Sequence, residues 1–323
     1  MSIRVGLGSW SDAEYRGILY PPGLAAGERL SGYARWFSHV EVNASFYTIP
    51  SKEQAAKWAA QVPEGFLFDF KLHKTLSGHA TSAGALPPAL RGKITGTALT
   101  PGGAWQKEVA AYTLEQTEGL KCARKLGVFL LLPAPQFTPD RRKLEEFDPL
   151  VEALGGENMA MELRQRAWIE GKQRERTLGY LRERGIAWVA VDMPKGEAVN
   201  LMPAIDEVTQ PELAYLRLHG RNLEGYLHGK SAAERFHYDY RPTELKEILK
   251  RIEKLGAEAK EVRVVASNHS EDFAPKAALE LKRLLGQPLQ AAPVALMAAP
   301  ETGMLFDDVI PAAKAKVSRR KHF

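Results

Sequence analysis

Cysteine and long apolar runs are nearly absent from this chain of 323 residues. The single cysteine, Cys122, excludes a disulfide framework within the chain and suits a reducing compartment. The longest apolar run, from Val128 to Pro135, is far too short to cross a bilayer. The first residues lack the charged segment and the long apolar stretch of a secretion signal. We therefore expect a cytoplasmic protein that does not enter the membrane.

The positive charge of the chain is concentrated in its last residues. The formal net charge is +5, and residues 311–323 contain five lysines and arginines and no acid. The preceding residues, 1–310, are therefore neutral overall. A basic tail of this kind can attract polyanions without specificity, so nucleic acid is kept as an alternative partner.

Short β-patterned segments alternate with helical patterns along most of the chain. The strand candidates are residues 3–9, 39–43, 66–71, 128–132, 159–164, 187–192, 214–220 and 262–268. The helix candidates are residues 28–37, 52–60, 108–125, 141–153, 173–184, 244–255 and 276–285. The sixth of the eight units has no clear helix. Eight β/α units predict an α/β fold of the TIM type, a single (β/α)8 barrel domain over residues 1–286.

Several strand candidates carry polar residues on one face only. Glu41 and Asn43 share a face of the second candidate, and Arg217, His219 and Arg221 share a face at the seventh. An antiparallel sheet with one wet face would also alternate in this way. Strands joined by helices run parallel, however, and in a barrel the apolar face meets the helices while the polar face points inward. We therefore expect these polar residues at the barrel mouth, where barrel active sites lie.

Two connections are unusually long, those after the third and the seventh strand candidates. The first covers residues 73–106 and is rich in Gly, Ala, Ser, Thr and Pro; the second covers residues 221–242 and carries two glycines, Gly225 and Gly229, and three tyrosines. Loops of this length often serve as lids or binding elements, and both would overhang the mouth. His73 and His79 lie in the first of them and are expected to be solvated. Residues 287–323 are rich in proline and alanine, which predicts a weakly structured extension with a basic tail.

Seven segments of the chain carry a resemblance to a known family. They are GLGSW from Gly6, YRGILYP from Tyr15, VEVNASFYTIPS from Val40, FDFK from Phe68, MELRQRAW from Met161, LRLHGRN from Leu216 and SNHSEDFAPKAA from Ser267. Together they resemble the YecE-like family, domain of unknown function 72, over nearly all of residues 3–286. The resemblance implies a TIM barrel and no particular reaction, because none is assigned to the family. The chain departs from the family pattern at Ser9, usually a glycine, and at Ala266, Ser267 and Asn268, where strand eight commonly ends in an aromatic residue and paired asparagines.

Polar residues at the strand ends form the candidate site. The predicted catalytic residues are Glu41, Lys71, Glu162, Asp192 and His219. The predicted substrate-binding residues are Trp10, Asn43, Tyr47, Arg164, Arg217, Arg221, Asn222 and Asn268. Carboxylates and cations that share one cavity shift each other's pKa values and can provide an acid and a base. A simpler interpretation is an internal salt-bridge network that satisfies the barrel top.

The candidate site favours an enzyme that acts on a small anionic or polyhydroxylated substrate, such as a sugar or a sugar phosphate. Arg217 and Arg221 would hold the anion, as in the phosphate sites that many barrels build after strands seven and eight. His219 or Glu162 would serve as the base, and Lys71 would stabilise developing negative charge. A Schiff base at Lys71 is a further alternative, but a neighbouring carboxylate such as Asp69 or Glu162 would keep the amine charged and weaken it as a nucleophile.

Three other functions are compatible with the sequence. The ligands available to a metal-dependent phosphoesterase or isomerase are Glu41, Glu162, Asp192, His219 and His269. Lys71, Arg164 and Arg217 would place positive charge beside such a cation, so no cofactor is predicted, although a divalent metal could bind. A nucleic-acid-binding barrel would use the interleaved aromatic and basic residues of ERFHYDYRP. A scaffold barrel without catalysis would dock the segment ETGMLF, residues 301–306, in a groove.

Overall fold

The computed structural model describes residues 1–79, 81–94, 99 and 101–289. Strands and helices alternate through this part of the chain. The strands are β1 (Ser2–Leu7), β2 (His39–Val42), β3 (Leu67–Lys71), β4 (Leu126–Leu131), β5 (Met159–Met161), β6 (Ile186–Asp192), β7 (Leu213–Leu218) and β8 (Glu261–Ala266). The α-helices are α1 (Arg29–Tyr33), α2 (Lys52–Gln61), α3 (Pro88–Arg91), α4 (Trp105–Cys122), α5 (Asp148–Leu154), α6 (Gly171–Glu183), α7 (Leu223–His228), α8 (Ala232–Arg235), α9 (Pro242–Glu258) and α10 (Phe273–Leu284). The predicted TIM-type barrel is confirmed.

The eight strands form one parallel sheet in the order β1-β8-β7-β6-β5-β4-β3-β2. No ladder of backbone hydrogen bonds joins β1 to β2, and the side chain of Tyr33 links the two strands instead. Leu7 N–H donates to Tyr33 Oη over 2.8 Å, and this hydroxyl donates to the His39 carbonyl oxygen over 2.9 Å. Gly6 makes room here, because a Cβ would stand 2.5 Å from the same carbonyl oxygen. A tyrosine hydroxyl therefore bridges the barrel where strand pairing stops.

The apolar faces of the strands pack against the surrounding helices. Phe68 of β3 is fully buried, and its ring stacks on Trp58 of α2 with 6.1 Å between centroids. Helix α2 begins at Lys52 because Ser51 Oγ accepts the N–H of Gln54, an N-cap. Helix α9 buries a stripe with helical spacing, namely Leu245, Ile248, Ile252 and Leu255. These contacts leave the opposite, polar face of the strands inside the barrel.

Two features of the connections at the mouth differ from the sequence-based expectation. Strand β5 ends at Met161, so Glu162 and Arg164 follow the strand. The connection after β7 contains the helices α7 and α8. Asn222 Oδ1 accepts the N–H of Gly225 at the start of α7, and Ser231 Oγ similarly caps α8. Two glycines in this stretch favour a loop, but the cap residues outweigh them. The connection after β6 has no α-helix, as predicted.

The connection after β3 folds back over the barrel and buries a histidine. His73 Nε2 lies 3.1 Å from the Tyr47 carbonyl oxygen, and its Nδ1 lies 2.8 Å from Thr75 Oγ1. The His73 ring is 2% exposed, and His79 is half-buried with Nε2 3.3 Å from the Leu132 carbonyl oxygen. The expectation that both rings are solvated is wrong, because each finds a polar partner within the folded loop.

The last described helix, α10, ends at Leu284, and the side-chain amide of Gln287 still donates to the Ile3 carbonyl oxygen over 2.8 Å. From residue 290 onward, the predicted extension with ETGMLF and the basic tail lies outside the described residues. In the part of the chain that is described, no helix combines the length and the apolar character needed to cross a membrane.

Candidate active site at the barrel mouth

Charged side chains fill the barrel interior from the start of the strands toward the mouth. Arg263 of β8 donates through Nε to Glu261 over 2.7 Å and through Nη1 to Asp69 of β3. Asp69 Oδ1 also accepts the N–H of Val128 over 3.0 Å, where the β3–β4 ladder shifts register. Gly127 leaves room for this pair, because a Cβ there would stand 2.1 Å from Asp69 Oδ1. The lower part of the barrel interior thus holds the Arg263–Asp69 ion pair, for which the missing side chain of Gly127 leaves room.

Tyr215 links Asp69 to the next carboxylate. Its hydroxyl lies 3.1 Å from Asp69 Oδ2 and 3.1 Å from Glu41 Oε2. The Tyr215 hydroxyl can donate one hydrogen bond, and so it satisfies only one of the two carboxylates. The contact with the other is a hydrogen bond only if that carboxyl group carries a proton of its own. Burial raises the pKa of Asp69 to about 6, with Arg263 opposing the shift and Glu41 adding to it. Asp69 is therefore the carboxyl group that carries the second proton in mildly acidic solution.

Arg217 joins Glu41 to Glu162 across the barrel. Its Nη2 donates to Glu41 Oε1 over 2.7 Å, and its Nη1 donates to Glu162 Oε2. All three side chains are buried. Burial disfavours the charged form of Glu162, but Arg217, His219 and Arg164 outweigh it and hold the Glu162 pKa well below its usual range. Glu41 is accordingly an internal ion-pair partner, whereas Glu162 extends the network to the mouth.

A cavity of about 240 Å³ lies above Glu162 and His219. Its walls come from the ends of the central strands, the helix-free connection after β6 and the helices α7 and α8. The lining residues are Pro135, Glu162, Leu163, Arg164, Val191, Met193, Asn200, Met202, His219, Tyr226, Arg235 and Phe236. A partly enclosed, mostly apolar cavity with a few convergent polar groups is typical of a small-molecule site.

His219 is the buried titratable group of this cavity that lacks hydrogen bonds. Its Nε2 lies 3.3 Å from Glu162 Oε1, but neither ring nitrogen makes a hydrogen bond of good geometry to a described residue. The ring of Phe236 covers it at 5.7 Å between centroids. Burial lowers the pKa of His219, and the opposing pull of Glu162 does not cancel the shift. The imidazole is therefore neutral near pH 7 and can accept a proton from a bound ligand.

Two guanidinium groups add positive charge to the cavity wall. Arg164 Nε lies 3.3 Å from Glu162 Oε1, and a third of the Arg164 side chain is exposed. Arg235 makes no ion pair with any described residue, and its guanidinium stands 5.9 Å from the ring of Tyr226. One carboxylate and two guanidinium groups give the lining a positive excess, which favours an anionic ligand.

Lys71 points inward from β3 beside this cluster and is half-buried. Its Nζ stands 4.6 Å from the ring centroid of Phe46, and no described carboxylate lies within 4 Å of it. Burial, Arg217 and Arg164 lower the pKa of Lys71 to about 7, with two carboxylates opposing the shift. A neighbouring carboxylate was expected to keep this amine charged. The structure differs because the nearby acids are already engaged by arginines.

Asp192 and Arg221 lie in a separate cluster outside the cavity. Arg221 donates from Nε and Nη2 to the two Asp192 carboxylate oxygens, each over 2.9 Å. The Tyr240 hydroxyl donates to Asp192 over 2.8 Å, and Arg251 Nη1 lies 3.3 Å from it. The two residues predicted to act on a substrate are thus bound to each other.

The strand register explains this separation. Val191 stands beside Arg217 in the β6–β7 ladder, so Asp192 stands beside Leu218 on the opposite face. Gly220 has a φ of +84°, which ends the alternation that placed Arg221 on the same face as Arg217 in the sequence. Arg217 therefore meets the interior carboxylates, while Arg221 turns toward α9.

Comparison with known proteins identifies the family of this barrel. The family model described as "Protein of unknown function DUF72" matches residues 4–302. The chain belongs to the DUF72 family. This confirms the resemblance found in the sequence motifs.

Individual relatives share about a quarter of their residues with this chain. The UPF0759 protein YunF of Bacillus subtilis is 28% identical over 273 residues, which span 83% of this chain and 89% of YunF. The crystal structure of a DUF72 family protein from Enterococcus faecalis is 26% identical, with a TM-score of 0.73 over 90% of this chain and 99% of that one. A DUF72 family protein from Thermotoga maritima is also 26% identical, with a TM-score of 0.72 over 89% and 100%.

Of the eight residues predicted to bind substrate, Arg164 lines the cavity of this DUF72 barrel, and Trp10, Tyr47 and Asn222 lie well outside it. Trp10 packs edge-on against Trp58 with 5.2 Å between centroids. Tyr47 is 68% exposed. Asn222 caps α7 and donates from Nδ2 to the Glu234 carbonyl oxygen over 3.0 Å. Their side chains are accounted for by packing, by exposure to solvent and by helix capping.

Asn43 and Asn268 lie at the β1–β8 side of the mouth, and each has an acceptor oxygen without a hydrogen bond to a described residue. Asn43 Nδ2 lies 3.2 Å from His269 Nε2, and Asn268 Nδ2 donates to the Tyr238 carbonyl oxygen over 2.8 Å. Gly8 permits the first contact, because a Cβ there would stand 2.3 Å from Asn43 Nδ2. Both predicted binding residues thus keep polar atoms available at the mouth.

The metal-dependent alternative finds no matching geometry in this DUF72 barrel. Among the residues that the structure describes, no three His, Cys, Asp or Glu side chains are grouped so that they could hold a metal ion. Glu41 and Glu162 are engaged by Arg217, and Asp192 faces the other side of β6.

Several cavity residues of the DUF72 barrel were not predicted individually. Arg235, Tyr226 and Phe236 come from the long connection after β7, which the sequence indicated only as a lid. Asn200 and Met202 come from the helix-free connection after β6. The sequence feature that could have indicated them is the mixture of aromatic and basic residues in ERFHYDYRP. Which of these side chains face the cavity depends on how α8 packs.

Proposed function

We propose that this DUF72 barrel is an enzyme that acts on a small anionic or polyhydroxylated substrate at the mouth, with Glu162 and His219 performing acid–base chemistry. The observation that carries the proposal is one pair of side chains. His219 is buried and neutral and lines the cavity, and its Nε2 lies 3.3 Å from Oε1 of an ionised Glu162, while neither ring nitrogen has a hydrogen bond to a described residue. A group in this state can take a proton from a ligand at neutral pH.

Glu162 makes proton uptake by His219 favourable. When the imidazole becomes charged, the adjacent carboxylate attracts it, and Arg217 holds that carboxylate in place from behind. Arg164 and Arg235 would bind the anionic group of the substrate, because guanidinium groups donate paired hydrogen bonds to phosphate and carboxylate oxygens. The acid–base pair and the guanidinium groups that would bind the substrate then lie in the same cavity.

The size of the cavity separates this proposal from the alternatives. A volume of about 240 Å³ lies near the lower end of small-molecule pockets and favours a small ligand over a nucleotide chain in this cavity. The ion pairs of Glu41 and Glu162 likewise leave these carboxylates unsuited to a metal. We therefore favour a small-molecule enzyme over a nucleic-acid-binding, metal-dependent or scaffold barrel.

Thermal unfolding with a matched set of ligands tests the proposal. Inorganic phosphate and glucose 6-phosphate should raise Tm by a few degrees at saturating concentration, and glucose should raise it less. The Arg235→Gln variant should lose most of this shift, because it removes the cavity cation that lacks an ion pair to a described residue.

The control is Arg176→Gln, which removes the same charge from an exposed position on α6. It should leave the ligand-induced shift unchanged. Equal losses in the two variants, or no shift with any of the anions, would contradict an anion site at the mouth.

A further inference from the structure

We propose that Lys71 is a carbonyl-binding residue, which forms an imine with the aldehyde or ketone group of an anionic substrate. This inference rests on the proposed function and narrows its substrate class. It starts from the placement of the amine. Lys71 is the inward-facing, half-buried lysine at the end of β3; it does not itself line the cavity, but Arg164 and Glu162, which do, are among the charged groups that act on its amine.

The ion pairs around Lys71 leave its amine without a carboxylate. Arg217 binds both Glu41 and Glu162, and Arg263 binds Asp69. No described carboxylate is within 4 Å of Lys71 Nζ, which instead faces an aromatic ring. A lysine that is desolvated and close to other cations is the type of amine that attacks carbonyl groups.

The groups that act on Lys71 come from every side of the barrel top. Desolvation by burial has the largest effect on the Lys71 amine and disfavours its charged ammonium form. Arg217 and Arg164 disfavour that form as well, whereas Glu41 and Glu162 favour it. The half-buried His79 ring also lies near this amine. The ring of Phe46, 4.6 Å from Nζ, attracts the ammonium form only weakly. With a pKa of about 7, roughly half of Lys71 is neutral at neutral pH.

The covalent step is balanced without any oxidant or reductant. Neutral Nζ forms a bond to the carbonyl carbon, and the carbonyl oxygen receives one proton from Nζ and a second from solvent. The oxygen then leaves as water, and the product is a protonated imine. The positive charge withdraws electrons from the substrate, so a proton on the adjacent carbon becomes easier for His219 to remove.

Reductive trapping of the full-length chain tests this inference. Glyoxylate and glycolaldehyde are two-carbon aldehydes that differ in charge, and each is added near pH 7 with cyanoborohydride before peptide mass mapping. Lys71 should be modified at least about tenfold faster than Lys74, because burial beside Arg217 and Arg164 favours the neutral, reactive form of the Lys71 amine. The Lys71 rate should reach half of its maximum at a pH of about 7.

Two variants provide the controls. Lys71→Arg keeps the positive charge and removes the reactive amine, so modification should disappear from this peptide. Lys74→Arg should leave the modification of Lys71 unchanged. If Lys71 reacts no faster than Lys74 with either aldehyde, the inference is overturned.

The charge of the aldehyde separates this inference from the proposed function. Faster trapping of glyoxylate than of glycolaldehyde supports both an imine and an anion site. Equal trapping of the two supports the imine and counts against anion binding at this position. A phosphate-induced rise in Tm without trapping would retain the proposed function and overturn the imine.

Discussion

His219 Nε2 lies 3.3 Å from Glu162 Oε1, and both side chains are only 4% exposed. This pair makes stability depend on pH in a defined direction. Free histidine titrates near pH 6.5, and the folded pKa of His219 is lower. Below about pH 6.5 the unfolded chain therefore binds a proton that the folded chain does not, and the free energy of unfolding falls as the pH falls.

The first prediction concerns His219→Asn. This variant should flatten the decline of the unfolding free energy between about pH 6.5 and pH 5, by up to about 1.4 kcal/mol per pH unit. Urea unfolding at several pH values measures the slope. His228→Asn, at an exposed position on α7, is the control and should change the slope less. An unaltered slope in His219→Asn would mean that the ring already carries its proton in the folded state.

The second prediction concerns the buried bridge of Arg217. Arg217→Met leaves Glu41 and Glu162 without their shared cation, and we expect a loss of about 3–5 kcal/mol in unfolding free energy. Denaturant unfolding at pH 7 measures this loss. Arg184→Met breaks the more exposed pair with Asp148 and should cost at most about 1 kcal/mol. Similar losses in the two variants would show that the interior pairs are not desolvated.

The third prediction concerns Gly127. Gly127→Ala places a Cβ within 2.1 Å of Asp69 Oδ1 and 2.7 Å of Arg263 Nη1, so this ion pair must shift. We expect a destabilisation of about 1–3 kcal/mol, measured by chemical unfolding. Gly119→Ala on α4 meets no atom within 4 Å and should instead stabilise the protein, by about 0.5–1 kcal/mol. A neutral Gly127→Ala variant would refute the tight fit at the β4 irregularity.

The fourth prediction concerns the proton between Asp69 and Tyr215. Infrared difference spectra should show the carbonyl band of a protonated carboxyl group that titrates near pH 6. Asp69→Asn should remove this band. A band that survives in Asp69→Asn and is lost in Glu41→Gln would assign the proton to Glu41.

Local alternation of polar and apolar residues was enough to predict the barrel and its inner wall. Glu41, Arg217 and His219 lie where a period of two places them, because regular strands keep that period. The DUF72 resemblance added the family. It did not add a reaction.

The side chains whose positions differ from the sequence-based prediction lie at or beyond the strand ends, where the alternation of inward and outward residues stops. The turn at Gly220 redirects Arg221, and the register between two strands decides that Asp192 faces outward. Arg235 reaches the cavity only because α8 packs over the mouth. These placements depend on contacts between segments that are distant in sequence, and short motifs do not encode them.

The pairing of β1 has a consequence for the order of folding. Within the described chain, the ladder of β1 is with β8, and Ser2 stands beside Glu261, whereas β1 and β2 are linked through the Tyr33 hydroxyl and, just beyond the strands, by the Asn43 N–H that donates to the Gly8 carbonyl oxygen. Because β1 is synthesised before β8, it cannot form this ladder until β8 has been made. Such long-range pairing slows folding and leaves a partly built sheet with two unpaired edges during synthesis. Shortening the chain at either end would expose both edges at once.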